Sequence, residues 1–467
     1  MNIKNCHELE SSFATIKMKN SLPTPSSIDT IFNEMDYSQA IQLYLWALPL
    51  VTFAKWQQVH EEEFSATSGD LVTYKGYAEV SGILTANATT PYTIGFIDLS
   101  KTGPMIIEMP KGHIAGGFSD FWQREVAAVG EMGPDRGEGG KYILLPPNQE
   151  DESLYLKEGY FIIRNRSMNT FFGIRTLDPD SAVCETLANN VHIYPYSEKE
   201  NPSKTNIYMP NGRKYYAGPP KGLEYWEILH AIIQHEVIEE RDRFFIQWLD
   251  NLGVKKDNEF KLTGQQIEIL IAAAEKGEQM AQVNSFAKRF LNNKHWKNRN
   301  WDYIMIIPDS NQRGENFDFF FERTSYFYEA VTYSKAMITK TSNVGQAYLG
   351  AYQDKKGQWL DGGINYRLKV PANPPAVNFW SITVYDSITR CLIQNEQQNA
   401  DISSRKNIQI NSDGSVDIYF GPNAPMGHET NWVQTNENEF WFAYLRLYGP
   451  TEQYFNKSWV LGDIEEI

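Results

Sequence analysis

Cysteine is scarce in this chain. Only Cys6, Cys184 and Cys391 occur in 467 residues. An odd number at such wide spacing makes no disulfide framework, and no CxxC pair starts a zinc knuckle. Three reduced thiols are expected. Histidine is also thin, at eight. His230 and His235 stand five apart, so on a helix they point about 140° from one another rather than to one metal. "HEVIE" lacks the second histidine of HExxH, and no metal site is expected. GxSxG elbows, phosphate loops, dinucleotide fingerprints and EF-hand spacings do not occur either. "DKKGQWLDGG" shares only acids and glycines with a calcium loop.

Positive charge is short as well. There are 43 basic and 58 acidic residues, a net charge of -15. Such a chain repels phosphate backbones, so nucleic acid is excluded as a partner. No apolar run has membrane length. The longest, "AIQLYLWALPLVTFAKW" (Ala40 to Trp56), is too short and carries Gln42 and Pro49. It reads as a buried helix that Pro49 kinks or ends. The N-terminus has no signal-peptide core. A soluble, cytoplasmic protein without membrane partners is expected.

What is abundant is core material: 42% hydrophobic and 13% aromatic residues. The length allows two to four domains. Periodicity divides the chain into an N-terminal helical segment (1–68), a strand-rich domain (69–196), a linker (197–222), a helical module (223–345) and a second strand-rich domain (346–467). Short runs such as "YTIGFIDL" and "PMIIEMP", punctuated by Gly, Pro and Asp, predict a sandwich or jelly roll rather than a βαβ array. One helix is expected near Pro179 to Ala188. Beyond Leu223 a helix with Trp226, Leu229, Ile233 and Val237 on one stripe is predicted to run to Gly253. Thr263 and Gln266 make a capping box for the next. Glu239 and Arg243 fall at i,i+4 for an ion pair. "NSDGS" marks a hairpin turn. In "EFWFAYLRLY" both faces are apolar except at Arg446, which predicts a central strand. The fold class is therefore α+β: two jelly-roll-like antiparallel β-barrel or sandwich domains, a helical module between them, and an N-terminal helical segment packed on the first barrel.

The motifs "YRLKVPANPPAVNFWSITVYD", "DGSVDIYFGP", "NWVQT" and "WFAYLRLYGPTEQYFNKSWVLGDIE", in this order, resemble the second half of a bacterial two-domain family. That family joins domain of unknown function 1254 to domain of unknown function 1214. "YLWALPLV", "GFIDLSKTGPMIIEMP" and "GKYILLPP" resemble its first half. The resemblance implies two jelly-roll barrels joined by helices, oligomeric assembly in some members, and no established activity. Members read Thr-Pro-Asn-x-Asp-Thr-x-Tyr where this chain reads Thr85-Ala86-Asn87-Ala88-Thr89-Thr90-Pro91-Tyr92. Asn87, Thr90 and Tyr92 match, whereas Ala86 and Thr89 depart. A carboxylate role at the family's Asp is lost here.

Three polar stretches are candidate ligand sites at a barrel mouth. The first holds Asn87, Thr90 and Tyr92 on a turn feeding a strand. The second holds Asp120, Trp122, Gln123, Arg124 and Asp135, where an aromatic beside an amide and a guanidinium suits a polar or carboxylate ligand. The third holds His428, Glu429, Asn431 and Trp432 between two strands. Each has a structural alternative: a self-closing loop, an internal ion pair, or a barrel cap. The function expected is binding of a small polar molecule by a homo-oligomer, with no cofactor indicated. A hydrolase or lyase using Asp, Glu or His in the same pocket is the alternative, and a structural assembly protein the third.

Overall fold

The computed structural model describes residues 7–10, 15–149, 151–178, 180–338 and 340–467. Cys6 and Pro179 lie outside them. The first long element is α1 (Pro25–Phe64), capped by Ser65 in the left-handed conformation. It runs through Pro49 instead of ending there. Proline removes one helical N–H and crowds the preceding turn, which exposes carbonyls. Here side chains meet them. Tyr225 donates to the Tyr44 carbonyl at 2.7 Å, Arg323 to Trp46 at 2.8 Å and Gln123 to Pro49 at 2.9 Å. The helix survives because its surroundings supply donors.

Strands follow: β1 (Leu71–Tyr74), β2 (Tyr92–Asp98), β3 (Met105–Met109), β4 (Ile114–Asp120), β5 (Glu125–Gly130), β6 (Gly140–Leu145), β7 (Phe161–Arg164), β8 (Asn169–Thr176), β9 (His192–Pro195) and β10 (Ile207–Tyr208). They build a six-stranded sheet, ordered β10-β1-β2-β8-β4-β5, and a four-stranded sheet, ordered β7-β6-β3-β9. One face of each contributes to a shared apolar core that includes Met105, Ile107, Phe118, Leu144 and Phe172. The predicted late helix is present as Ser181–Asn189. The expected linker carries β10, which pairs in parallel with β1.

The helical section holds α2 (Leu223–His235), α3 (Arg243–Asn251), α4 (Gly264–Phe286) and α5 (Phe320–Glu329). The capping box on α4 forms as predicted. The single helix expected from Leu223 to Gly253 is broken. Glu236 leaves the helix with φ -81° and ψ 149°, and its carboxylate accepts the backbone N–H groups of Met168 and Asn169 at 2.7 and 2.9 Å. A tertiary demand for an acceptor overrides the apolar stripe, and Val237 leaves it. Glu239 consequently reaches Arg124 rather than Arg243, which pairs with Glu240. Helix α1 packs on α2 to α5 as well as on the first sheet, where Phe53 meets Phe96 and Phe171.

The second strand region has β11 (Asp302–Tyr303), β12 (Gln346–Ala351), β13 (Tyr366–Val370), β14 (Ala376–Asp386), β15 (Asp401–Ser403), β16 (Val416–Gly421), β17 (Trp432–Gln434), β18 (Phe440–Pro450) and β19 (Glu465–Glu466). One sheet is ordered β11-β12-β18-β14-β15 and the other β17-β16-β13-β19. Strand β18 is central, between β12 and β14. "NSDGS" closes a turn, with Asn411 N donating to Ser415 O at 2.8 Å. It is no hairpin, because β16 pairs with β13 and β17. The architecture is mixed α+β with open sheets, and none of those described closes into a barrel. The barrel expectation is corrected accordingly: each unit is two open sheets.

Candidate functional site

Alternation along two strands creates the site. On β8, Phe172 and Ile174 enter the first unit's core, while Phe171, Gly173 and Arg175 take the other face. On β18, Trp441, Ala443, Leu445 and Leu447 share a face, while Phe442, Tyr444, Arg446 and Tyr448 point the opposite way. The Arg175 and Arg446 faces line one cavity of about 1320 Å³, walled also by the chain following α5.

The loop Thr85–Pro91 ties the two units at this cavity. Arg446 Nη2 donates to the Thr85 carbonyl at 2.5 Å and Tyr385 OH to the Ala86 carbonyl at 2.9 Å. Asn87 Nδ2 donates to Tyr448 OH at 2.8 Å and to Thr90 Oγ1 at 2.9 Å. Its Oδ1 accepts Thr89 N at 2.7 Å. Asn87 is thus a filled strut between the units. Thr85 sits at φ +39°, a left-handed position that a β-branched residue adopts only when its surroundings demand it.

Two cations stand here without carboxylates. Arg175 donates to Thr90 Oγ1 and Tyr92 OH, each at 3.0 Å, and lies 4.4 Å over the Tyr92 ring. Arg446 is 5% exposed and donates to Tyr385 OH at 2.7 Å, 5.0 Å from the Tyr348 ring centre. Among the described residues neither has an acidic oxygen within ion-pair distance. Its charge is fixed, since a guanidinium does not deprotonate in this setting. Burial pushes the Tyr348 and Tyr385 phenols up, with Arg446 opposing it, so both stay neutral. Arg405, at the rim, lies 4.0 Å over Phe379, which stacks on Tyr448 at 4.0 Å. The acids along the cavity are engaged elsewhere. Glu131 holds His113, Glu185 holds Lys75, Glu125 accepts Lys335 N and Asp178 accepts Asp180 N. A cavity with unpaired guanidiniums and phenols can hold an anion.

Of the residues singled out from sequence, Thr90 and Tyr92 line this cavity and Asn87 braces it. The second stretch is used internally. Asp120 is fully buried and accepts Arg124 Nε at 2.7 Å and Arg166 Nε at 3.0 Å. Arg124 turns its other edge to Glu239. Burial works against charge on Glu239, but Arg124 beside it holds its carboxyl below the usual range. Trp122 is buried against Trp46 at 5.0 Å. Gln123 bridges the Pro49 carbonyl and Thr332 N. Asp135 accepts Gly130 N and the Tyr142 hydroxyl. The third stretch lies on the second unit's four-stranded sheet. Asn431 joins Gln409 to the Asp417 carbonyl, and Trp432 Nε1 donates to Gly421 O. His428 contacts Gln409 and the Tyr419 ring, while Glu429 accepts Gly427 N. None of these last four lines the cavity.

Sequence reasoning missed Arg175, Tyr348, Arg446 and Tyr448 as site residues. Arg446 carried a visible signal, as the sole charge on a strand apolar on both faces. Arg175 had a weaker one, in "TFFGIRTL", where it shares the Gly173 face.

Fold and cavity together define a class: an α+β protein whose two double-sheet units meet across a ligand-sized space. Residues 70–195 match the family model described as "Protein of unknown function (DUF1254)" and residues 345–452 the model "Protein of unknown function (DUF1214)". The chain belongs to this two-domain family. A crystal structure of the VPA0106 protein from Vibrio parahaemolyticus is similar at a TM-score of 0.56 and 14% identity, covering 92% of this chain and 100% of that one. An uncharacterized protein from Burkholderia cenocepacia aligns at a TM-score of 0.44 and 10% identity, over 95% and 97% of the two chains. No curated protein matches.

Proposed function

We propose that this chain is a soluble binding protein for a small anionic molecule, held between two jelly-roll-like units rather than at the mouth of either. The observation that carries the reading is the pair Arg175 and Arg446, facing one cavity with hydroxyl and carbonyl partners only. Leaving a buried cation such as Arg446 without a counter-ion is unfavourable, so a site that keeps it beside the half-buried Arg175 is arranged for an anion supplied from outside. Of the sequence candidates, Asn87, Thr90 and Tyr92 belong to this reading. Calorimetric titration with small carboxylates and phosphates tests it. Binding in the micromolar to millimolar range that Arg446→Gln weakens at least tenfold is expected. Equal affinity in both forms removes the site.

A further inference from the structure

Resting on that anion reading, we infer that the ligand is amphiphilic: one anionic head, carboxylate or phosphate, on a flexible apolar chain. The head end is the pair of guanidiniums with the Tyr92, Tyr348 and Tyr448 rings around them. Away from it, one row across the cavity face of the six-stranded sheet carries only small residues, with Phe171 and Ile94 beside it. Gly173 pairs with Gly117, and Gly117 with Ala128, so small residues lie side by side across β8, β4 and β5. Ala115 extends this floor along β4 next to Arg175. The floor cannot easily be filled. A Cβ on Gly117 meets the Ala127 carbonyl oxygen at 2.3 Å, and one on Gly173 meets the Phe171 ring at 2.7 Å.

The remaining apolar lining is adaptable. Met132, Met305 and Met337 border the cavity, along with Val331 and Val344. Unbranched thioether side chains re-pack around a flexible guest more easily than branched ones. The volume of about 1320 Å³ is far more than a compact anion fills. A guest with charge at one end only suits a cavity with unpaired guanidiniums at one end and, along the glycine and alanine row, an apolar trough whose bordering acids Glu125 and Glu131 are already held by Lys335 N and His113. A sugar or a polyanion would leave that trough facing polar groups.

The test is calorimetric titration of the full chain with n-alkanoates from two to twelve carbons and n-alkyl phosphates over the same lengths, all below micelle formation. Alkanols of matched length serve as neutral controls. Affinity is expected to rise about fourfold at most for each added methylene, and alkanols to bind at least tenfold more weakly than the matching acids. The preferred series identifies the head group. Arg446→Gln is expected to abolish discrimination between acid and alcohol while keeping the chain-length slope. Ala128→Leu, on the edge strand β5, is expected to flatten the slope while keeping short acids bound, with an unchanged Tm as the check on folding. Short acids that bind with no length dependence overturn the amphiphile and leave the anion site standing. A length slope identical for alkanols and acids overturns the anion site. Absence of binding throughout overturns both.

Discussion

Two groups of arginines, each with one buried and one half-buried member, can be compared in this molecule. Arg124 and Arg166 share the fully buried carboxylate of Asp120, and Arg124 takes Glu239 as well. Arg175 and Arg446 face a cavity and meet only hydroxyls, a carbonyl and aromatic rings. In sequence the first group looks more like a site, because acid, amide, aromatic and guanidinium are adjacent. In space that richness is spent on itself. Its charges cancel, and it fastens the first sheet to the segment between α2 and α3. Among the described residues the second group has no acidic oxygen within ion-pair distance, although Asp178 follows Arg175 by three positions. The comparison teaches that clustering of polar residue types marks a strut as readily as a site, whereas an uncompensated charge beside empty volume marks a site.

The comparison breaks most visibly at Asp120. Asp120→Ala removes the fully buried acceptor shared by Arg124 and Arg166, leaving Arg124 only Glu239 and Arg166 only Asn311 and the Glu125 carbonyl, and a loss of about 2–4 kcal/mol is expected. Urea unfolding measures it, and a loss under about 1 kcal/mol means the cluster is no strut.

Glu236 sharpens the comparison from the anionic side. It too is buried without an ion-pair partner among the described residues, held by N–H groups of Met168 and Asn169. Burial pushes its carboxyl up to about 7, against those hydrogen bonds. The folded state then keeps a proton that the unfolded chain releases near 4.5. Folding is therefore favoured most below about pH 4.5. The contribution shrinks as pH rises toward 7, by up to ~3 kcal/mol, and is level above that. Relative to the parent, Glu236→Gln should be free of this slope between pH 5 and 7. Parallel stability profiles for the two proteins refute the assignment.

Arg446→Gln is expected to behave oppositely to Asp120→Ala. Its effect on unfolding free energy should stay within about 1 kcal/mol, because no ion pair is broken, while anion affinity falls at least tenfold. A large stability loss with unchanged binding would make Arg446 a strut like Arg124. The smallest effect belongs to His428→Ala, at the half-exposed turn on the second unit's small sheet. A change below about 0.5 kcal/mol is expected, with no change in anion binding. Altered binding there would move the site to that loop.

Much of the local plan was legible. The capping box at Thr263, the helix near Ser181 and the central place of β18 follow from short-range rules, since caps and strand alternation are local physics. The helical pattern from about Ser27 to His60 was legible too, but not whether Pro49 kinks or ends it, nor the break at Glu236. In both, groups distant in sequence met or demanded backbone hydrogen bonds: Tyr225, Arg323 and Gln123 at the first, Met168 and Asn169 at the second.

Sequence by itself determined that this is a mixed α+β chain of two strand-rich regions around helices, acidic overall, and a member of its two-domain family. It also singled out Arg446 as the odd charge on an apolar strand. Tertiary structure alone decided which polar residues cancel and which remain open. Arg124 found Asp120 four residues away and Glu239 far along the chain. Arg175 and Arg446 sit 271 positions apart by residue number and found only the same cavity. Whether a charge is compensated depends on what lies within about 4 Å of it, and that distance is set by how two sheets face each other rather than by the order of residues along either.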